Sequence, residues 1–261
     1  MPSESSKDGG ASRRDFLIGG AAVVASAVGP SRIGSPEARP RSRPNAQPSP
    51  ARRGVWDSTE CALVVIDYQE NVLDMVFEQD RRIVELNART LAMAANEFKI
   101  PVVLSTVAVK MGINKPTISS LTAALPNVNA IDRSSMDAWE DPAFVAAVKA
   151  TGRRKLVMAG IVTSVCLSLN TNDALALGYQ VLFIEDAVAD SYKEWHDIAV
   201  MRLTHAGAVP STTNAIIAEW FRDWESPLAN GARRIFPSYF EEIASYKKAP
   251  QFVEPRGFRR T

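Results

Sequence analysis

Apolar residues between positions 61 and 224 form short continuous runs that alternate with stretches of helical spacing. The runs predict strands at residues 61–67, 101–106, 130–133, 155–159, 179–184 and 208–210. The periodic stretches predict helices at residues 81–98, 142–150, 194–205 and 213–224. A further helix is predicted between the turn at residues 160–164 and Gly178. Continuous apolar strands are typical of sheets covered on both faces. Alternation of strand and helix therefore predicts a three-layer α/β/α fold with a doubly wound, mainly parallel sheet.

The first 55 residues differ in composition from the rest of the chain. The stretch Ser12-Arg13-Arg14-Asp15-Phe16-Leu17-Ile18 resembles a twin-arginine export motif, and an apolar segment and Ala25-Ser26-Ala27 follow it. We predict that residues 1–27 are a signal peptide cleaved after Ala27, with export to the periplasm or the exterior. The alternative is a disordered tail with a chance arginine pair on a cytoplasmic protein. Residues 28–55, rich in Pro, Ser and Arg, are predicted to be a flexible linker.

The remaining chain is predicted to hold one domain at residues 56–225 and a C-terminal tail at residues 226–261. The tail carries aromatic residues but shows no clear period, so we expect an irregular segment that packs on its own domain or on a neighbouring subunit. The whole chain of 261 residues has a net charge of +1, which gives no indication of nucleic-acid binding. Its 2 cysteines exclude a disulfide framework and a cysteine-rich zinc site.

Cys166 follows a predicted buried strand and the turn at residues 160–164, at the start of a helix. Free N–H groups and the helix dipole stabilise negative charge at such a position. We therefore expect a lowered thiol pKa and a nucleophilic thiolate. The alternative is a buried core cysteine, which is common for this residue type. Cys61 opens the first strand and is expected to be core, too far from Cys166 for a disulfide.

Two further reactive side chains lie at the carboxyl ends of predicted strands. Asp67 ends the first strand and Arg133 ends the third. Open α/β sheets bind their ligands at this edge. Considered singly, the aspartate could be a turn residue or helix cap, and the arginine a solvated charge. Lys110 and Lys115 are rivals for the basic role, but they precede the third strand.

Two stretches together resemble the signature motifs of the isochorismatase-like cysteine hydrolase superfamily. They are Val64-Val65-Ile66-Asp67-Tyr68-Gln69 and Ala159-Gly160-Ile161-Val162-Thr163-Ser164-Val165-Cys166. The resemblance extends from about residue 62 to residue 224, and residues 136–144 and 148–152 are most similar to the YcaC-type branch. It implies the isochorismatase-like fold and a catalytic set of Asp67, Arg133 and Cys166.

The resemblance also implies roles for these residues. Cys166 would attack a carbonyl and form a thioester, and Asp67 would act as general base and then as acid. Arg133 would act electrostatically, since arginine stays protonated. The family further implies an oxyanion hole near Val162, Thr163 and Cys166, with a cis peptide at Val162–Thr163.

Two more residues are candidates for the substrate pocket. Gln69 is expected to line the pocket or to hydrogen-bond the Asp67 region, and Trp139 to form a pocket wall or part of the core. Nicotinamidases of the superfamily carry a metal site with histidine after the first strand. Residues 68–77 contain no histidine, and His196 and His205 lie far along the chain. We therefore expect no catalytic metal and no cofactor.

The sequence thus predicts a homo-oligomeric hydrolase that acts on a small amide or related small-molecule carbonyl compound, with no nucleic-acid partner and no membrane contact after signal removal. One alternative is vinyl-ether hydrolysis of the isochorismatase kind. Another is a non-catalytic oligomeric binding protein that keeps the fold.

Overall fold

The computed structural model of the chain describes residues 54–77 and 79–247. The predicted signal peptide and all but the last two residues of the predicted linker lie outside this part of the chain. Within the described residues, no helix has the length and apolar character needed to cross a membrane.

A parallel sheet of six strands forms the centre of the fold, in the order β3-β2-β1-β4-β5-β6. Its strands are β1 (Cys61–Ile66), β2 (Val102–Val107), β3 (Ile131–Arg133), β4 (Lys155–Gly160), β5 (Gln180–Ile184) and β6 (Val209–Ser211). All residues of β1 are buried, as expected for a strand covered on both faces. Strand order reverses between β1 and β4, the position at which open α/β sheets bind their ligands.

Within residues 54–77 and 79–247, eight α-helices connect or flank the strands. They are α1 (Glu70–Leu73), α2 (Arg81–Glu97), α3 (Ser119–Ala124), α4 (Pro142–Ala150), α5 (Ser168–Ala176), α6 (Lys193–Ala206), α7 (Thr213–Phe221) and α8 (Ala229–Lys247). Helices α3, α7 and α8 contact α2, and α5 contacts α6. Right-handed crossovers in this strand order place the α2 group and the α5–α6 pair on opposite faces of the sheet. The predicted three-layer fold is confirmed.

The sequence predicted an irregular C-terminal tail, and this prediction is wrong. Residues Ala229–Lys247 form helix α8. This helix packs against α2, where the Tyr239 hydroxyl donates to Asn87 Oδ1 at 2.9 Å. Gly231 permits the close approach, since a Cβ there would lie 2.5 Å from Glu97 Cγ. Pro237 lies inside the helix and interrupts the sequence pattern that would otherwise indicate it. Helix α7 also ends at Phe221, earlier than residue 224.

Candidate active site

Asp67 follows β1 directly, at the point where strand order reverses. Its φ of 60° lies in the left-handed region, which costs energy for a residue with a Cβ. Two backbone hydrogen bonds hold this conformation: Asp67 N–H donates to Ser105 O at 3.0 Å, and Gln69 N–H donates to Asp67 O at 2.8 Å. The turn directs a fully buried carboxylate to the carboxyl edge of the sheet.

Arg133 ends β3, and its buried guanidinium binds Asp67 in a two-pronged ion pair. Nη1 donates to Asp67 Oδ1 and Nη2 to Asp67 Oδ2, both at 2.7 Å. Nη1 also donates to Ser105 Oγ at 3.0 Å, and Nη2 to Met136 O at 3.2 Å. Both side chains of the pair are fully shielded from solvent. This geometry fixes the orientation of the carboxylate as well as its charge.

Cys166 lies in a π-helical turn, Thr163–Leu167, between β4 and α5. The residue is 6% exposed, and its thiol interacts with the Asp67 carboxylate. The charge of Arg133 and the backbone N–H of Val162 also act on the sulfur. The structure therefore brings Asp67, Arg133 and Cys166 together, although they come from three different strand ends.

The expected lowering of the Cys166 pKa is wrong. Burial, followed by the charge of Asp67 and the hydrogen bond to it, raises the pKa of the Cys166 thiol to about 12. Arg133 and the Val162 N–H favour the thiolate but do not outweigh these effects. At neutral pH the Cys166 thiol is therefore protonated, and because it lies beside the Asp67 carboxyl group, the nucleophile needs a base.

Asp67 has the properties of that base. Burial raises the pKa of its carboxyl above the ordinary aspartate range, while the hydrogen bonds and charge of Arg133 oppose the shift. Burial alone would lower the pKa of Arg133, but the hydrogen bonds and charge of Asp67 outweigh it and raise that pKa. Arg133 thus remains a cation whose two-pronged pairing favours the ionised form of Asp67, while burial increases the affinity of that carboxyl for a proton.

The backbone around the nucleophile differs from the prediction. The cis peptide joins Ile161 and Val162, one residue before the expected Val162–Thr163 bond. Thr163 N–H donates to Ala189 O at 2.8 Å, so it is not free to stabilise an oxyanion. The Val162 backbone instead acts on the Cys166 thiol and favours its thiolate form. Of the three residues predicted for the oxyanion hole, Thr163 is excluded as a backbone donor.

Gln69 and Trp139 are buried and bind other parts of the framework. Gln69 Oε1 accepts from Val107 N–H at 2.9 Å, and its Nε2 donates to Lys115 O at 2.6 Å. The Gln69 side chain therefore fixes the loop after β2, and only the backbone N–H of Gln69 hydrogen-bonds Asp67. Trp139 Nε1 donates to Asn170 O at 2.8 Å, and its ring packs against other buried aromatic side chains. The core alternative describes Trp139 better than a pocket wall.

The rival basic residues and the remaining predicted groups lie elsewhere. Lys110 and Lys115 are exposed on the loop after β2, and neither is among the hydrogen-bond partners of the buried ion pair. Cys61 is buried in β1, and both cysteines are free thiols. Among the described residues, no group of three or more His, Cys, Asp or Glu side chains is arranged to hold a metal ion.

Two buried residues support the nucleophile turn and were not singled out from the sequence. Asn170 Nδ2 donates to Cys166 O at 2.6 Å, and Asn170 Oδ1 accepts from Ala138 N–H at 2.9 Å. His196 Nδ1 lies 3.0 Å from Thr163 Oγ1, on the other side of the turn. The four-residue spacing of Cys166 and Asn170 could have indicated their contact, but nothing local indicates His196.

Replacement of Asn170 with alanine is expected to destabilise the fold by about 2 kcal/mol, because it leaves buried backbone groups of Cys166 and Ala138 without partners. The Cys166 alkylation rate should change as well, since this side chain connects the nucleophile turn to the segment after Arg133. Urea unfolding and alkylation kinetics measure both effects. Asn172→Ala is the matched control, because the buried Asn172 amide nitrogen on the same helix has no partner among the described residues. Equal effects of the two substitutions would contradict the positioning role.

The isochorismatase-domain family model matches residues 61–215, more than half of the chain. The chain belongs to the isochorismatase family. It is 31% identical over 195 residues to the probable hydrolase YcaC of Escherichia coli (strain K12), covering 73% of this chain and 93% of that protein. It is also 27% identical over 168 residues to the secreted isochorismatase effector Isc1 of Phytophthora sojae, covering 63% of this chain and 79% of that protein.

Solved structures agree with this placement. YcaC from Pseudomonas aeruginosa, solved with hexane-2,5-diol and covalent acrylamide, is 30% identical with a TM-score of 0.66, covering 75% of this chain and 98% of that chain. The Escherichia coli YcaC structure, described as an octameric hydrolase of unknown specificity, is 30% identical with a TM-score of 0.67, covering 74% and 97%. The predicted YcaC-type branch is confirmed, and the similarity supports a hydrolase of this type.

Proposed function

We propose that this isochorismatase-family protein is a cysteine hydrolase that cleaves the C–N bond of a small amide through a thioester on Cys166. The observation that carries the proposal is the buried contact of Cys166 with the Asp67–Arg133 ion pair. A protonated thiol beside a carboxylate of raised proton affinity is a nucleophile paired with its general base.

In the proposed reaction, Asp67 takes the thiol proton as the Cys166 sulfur attacks the amide carbon. We assign the Val162 N–H as a donor to the oxyanion of the tetrahedral intermediate, because the backbone of Val162 already acts on the neighbouring sulfur. Collapse of that intermediate breaks the C–N bond, and Asp67 returns the proton to the departing amine. Water, deprotonated by Asp67, then attacks the thioester and releases the acid and the thiol.

Arg133 has two functions in this scheme, and both depend on its fixed charge. Its two hydrogen bonds hold the Asp67 oxygens in one orientation. Its positive charge remains in the site while the negative charge moves from Asp67 to the intermediate, so the buried site never holds an unbalanced anion. Arginine does not take part in proton transfer, because it keeps its proton throughout.

The relative from Pseudomonas aeruginosa gives independent support, because its structure contains covalent acrylamide. Acrylamide is a primary amide with an electrophilic double bond that alkylates nucleophilic side chains. The relative therefore contains a reactive nucleophile, and its structure matches 75% of this chain. This supports the proposal that Cys166 is reactive here.

The proposal is tested by ammonia release from a panel of small primary amides. The protein should release ammonia from at least one amide, and a Cys61→Ala variant should retain this activity because Cys61 lies in the core. Turnover of a vinyl ether and of no amide would overturn the amide assignment. Tight binding of amides without any turnover would instead identify a non-catalytic binding protein.

We also propose that the protein is a homo-oligomer and is exported. The octameric state of the Escherichia coli relative supports the first proposal. The arginine pair, the apolar segment and the Ala25-Ser26-Ala27 stretch support the second. Sedimentation measures the subunit number, and mass spectrometry of the secreted protein identifies its N-terminus, which we expect at Val28.

A further inference from the structure

His196 is buried on helix α6 with both of its ring nitrogens in contact with polar side chains, and the proposed reaction does not use it. The residue is 6% exposed, and its Nδ1 lies 3.0 Å from Thr163 Oγ1. Its Nε2 lies 3.4 Å from Oε1 of Glu185, which directly follows β5. The other histidine of this helix, His205, is exposed. Because a buried ring with two polar partners is held in one orientation, His196 is able to fix the groups that it contacts.

The carboxylate of Glu185 determines which ring nitrogen of His196 carries the proton. The hydrogen bond from His196 is the largest of the effects that lower the pKa of Glu185, so this carboxyl is ionised at neutral pH. A carboxylate only accepts hydrogen bonds, which assigns the proton of the neutral ring to Nε2. Nδ1 is then an acceptor, and the Thr163 hydroxyl donates to it. Gln79 Nε2 lies 3.5 Å from Nδ1 and 3.4 Å from Nε2, so it does not distinguish between them.

The nucleophile turn, Thr163–Leu167, is also held by the segment that connects β5 to α6. Thr163 N–H donates to Ala189 O at 2.8 Å, and Ser164 N–H donates to Oδ2 of the buried Asp190 at 2.7 Å. These two contacts hold the backbone at the start of the turn, and His196 holds the side chain. The fully buried Thr163 hydroxyl has no second partner among the described residues. Without His196 it would be left unsatisfied unless the turn moved.

The position of this turn decides whether the thiol can reach its base. Thr163 and Cys166 are the first and fourth residues of the same π-helical turn, so a displacement of Thr163 moves the sulfur as well. Transfer of the thiol proton requires that Cys166 and Asp67 stay within hydrogen-bond reach of each other. A displacement of about 1 Å in such an arrangement can lower a rate about 100-fold.

We propose that His196 is a positioning residue for the proposed hydrolysis: its Nδ1 holds the Thr163 hydroxyl and thereby keeps the Cys166 sulfur beside Asp67. Glu185 contributes by fixing the ring tautomer that leaves Nδ1 as an acceptor. The inference rests on the proposed function, because it assigns a residue to that reaction. It concerns the position of the thiol, however, and can also be tested without a substrate. His196 acts through Thr163 and not on the reacting atoms.

Two substitutions of His196 separate its two contacts. Asparagine places its amide oxygen near the position of Nδ1, whereas the longer glutamine side chain reaches the position of Nε2. His196→Asn should therefore keep an acceptor for Thr163 and retain most of the native kcat on an amide that the native protein hydrolyses. His196→Gln keeps only the contact with Glu185, so it should lower kcat by about 10- to 100-fold with KM unchanged. His205→Gln is the matched control on the same helix and should leave both constants unchanged.

The Thr163 hydroxyl tests the same contact from the other side. Thr163→Val removes the hydroxyl at nearly equal volume and should lower kcat as much as His196→Gln, whereas Thr163→Ser keeps the hydroxyl and should retain kcat. The double variant Thr163→Val/His196→Gln should be no slower than either single variant, because both substitutions remove one hydrogen bond. Losses in kcat that multiply would contradict the inference. Circular dichroism verifies that the variants are folded.

Alkylation of Cys166 by iodoacetamide, in a Cys61→Ala background, tests the position of the thiol without a substrate. The charge of Asp67 and the hydrogen bond to it raise the pKa of the Cys166 thiol. A sulfur displaced from Asp67 loses these effects and forms its thiolate more readily. The rate of alkylation should therefore rise at a pH lower by about one unit in His196→Gln, but not in His196→Asn.

The outcomes distinguish this inference from the proposed function. Shifted alkylation in His196→Gln, together with a native protein that hydrolyses no amide, would support the positioning of Cys166 by His196 and end the amide proposal. Amide turnover by the native protein, with equal kcat values and equal alkylation profiles in His196→Gln and His196→Asn, would overturn the inference and leave the amide proposal intact.

Discussion

Replacement of Cys166 with alanine is expected to lower amide turnover by about four orders of magnitude or more, because the proposed reaction has no other nucleophile. The substitution removes only the sulfur from a buried site, and Asp67 and Arg133 keep their ion pair. The fold should therefore remain intact. Ammonia release by the native and variant proteins, at matched concentration and with the same amide, measures the effect.

Cys166→Ser is the informative companion variant. A hydroxyl is a weaker nucleophile and a weaker acid than a thiol, so the serine variant should also be severely impaired although it preserves the hydrogen bond to Asp67. Cys61→Ala controls for loss of the other thiol and should retain turnover. Substantial activity in Cys166→Ala would show that the attacking group is a water or another side chain, and would end the thioester proposal.

Replacement of Arg133 with methionine is expected to destabilise the fold by about 3–5 kcal/mol, because it leaves the buried Asp67 carboxylate without its counterion. Burial already raises the Asp67 pKa, and loss of Arg133 removes the opposing effect. The folded state of the variant should thus bind a proton more tightly than the unfolded state. Its stability deficit should grow as the pH rises and shrink as the pH falls. Urea unfolding at several pH values measures this dependence.

The double variant Asp67→Asn/Arg133→Met separates the ion pair from other consequences of the substitution. Because it removes both charges, it should be more stable than Arg133→Met alone at neutral pH. The single variant Asp67→Asn completes the comparison. If the loss in free energy of unfolding of the double variant equals the sum of the losses of Asp67→Asn and Arg133→Met, the two groups do not interact as the structure describes. Both variants should lack amide turnover, since the double variant removes the proposed base and Arg133→Met removes the charge that orients it.

The fold could be predicted from the sequence because its decisive features are local. The continuous apolar run of β1 indicates a strand buried on both faces, and its last residue is followed directly by Asp67. Parallel strands bring their carboxyl ends to one edge, so Asp67, Arg133 and Cys166 could be grouped before any coordinates were known. The sequence positions of Lys110 and Lys115, before the third strand, likewise made them the weaker candidates for the basic role.

The properties that were predicted wrongly depend on contacts distant in sequence. The Cys166 pKa is set by burial and by Asp67, 99 residues earlier, and not by the helix start alone. The Thr163 N–H is occupied by Ala189, from the segment after β5. Helix α8 was missed because Gly231 and Pro237 interrupt its pattern, and its stability comes from packing on α2. Tertiary contacts override the local signal in each case.

The ionisation state of Cys166 tests the central claim that Asp67 is the base for a protonated thiol. The ultraviolet absorbance of the thiolate is measured against pH for the Cys61→Ala variant and for the double variant Cys61→Ala/Cys166→Ala. The difference between the two curves is the signal of Cys166. With a thiol pKa of about 12, no thiolate should form at neutral pH or in the mildly alkaline range. Asp67→Asn should move thiolate formation to lower pH, because it removes the negative charge and leaves Arg133 beside the sulfur. A native thiolate forming below the ordinary cysteine pKa of about 8.5 would contradict the account, as would an Asp67→Asn titration identical to the native one.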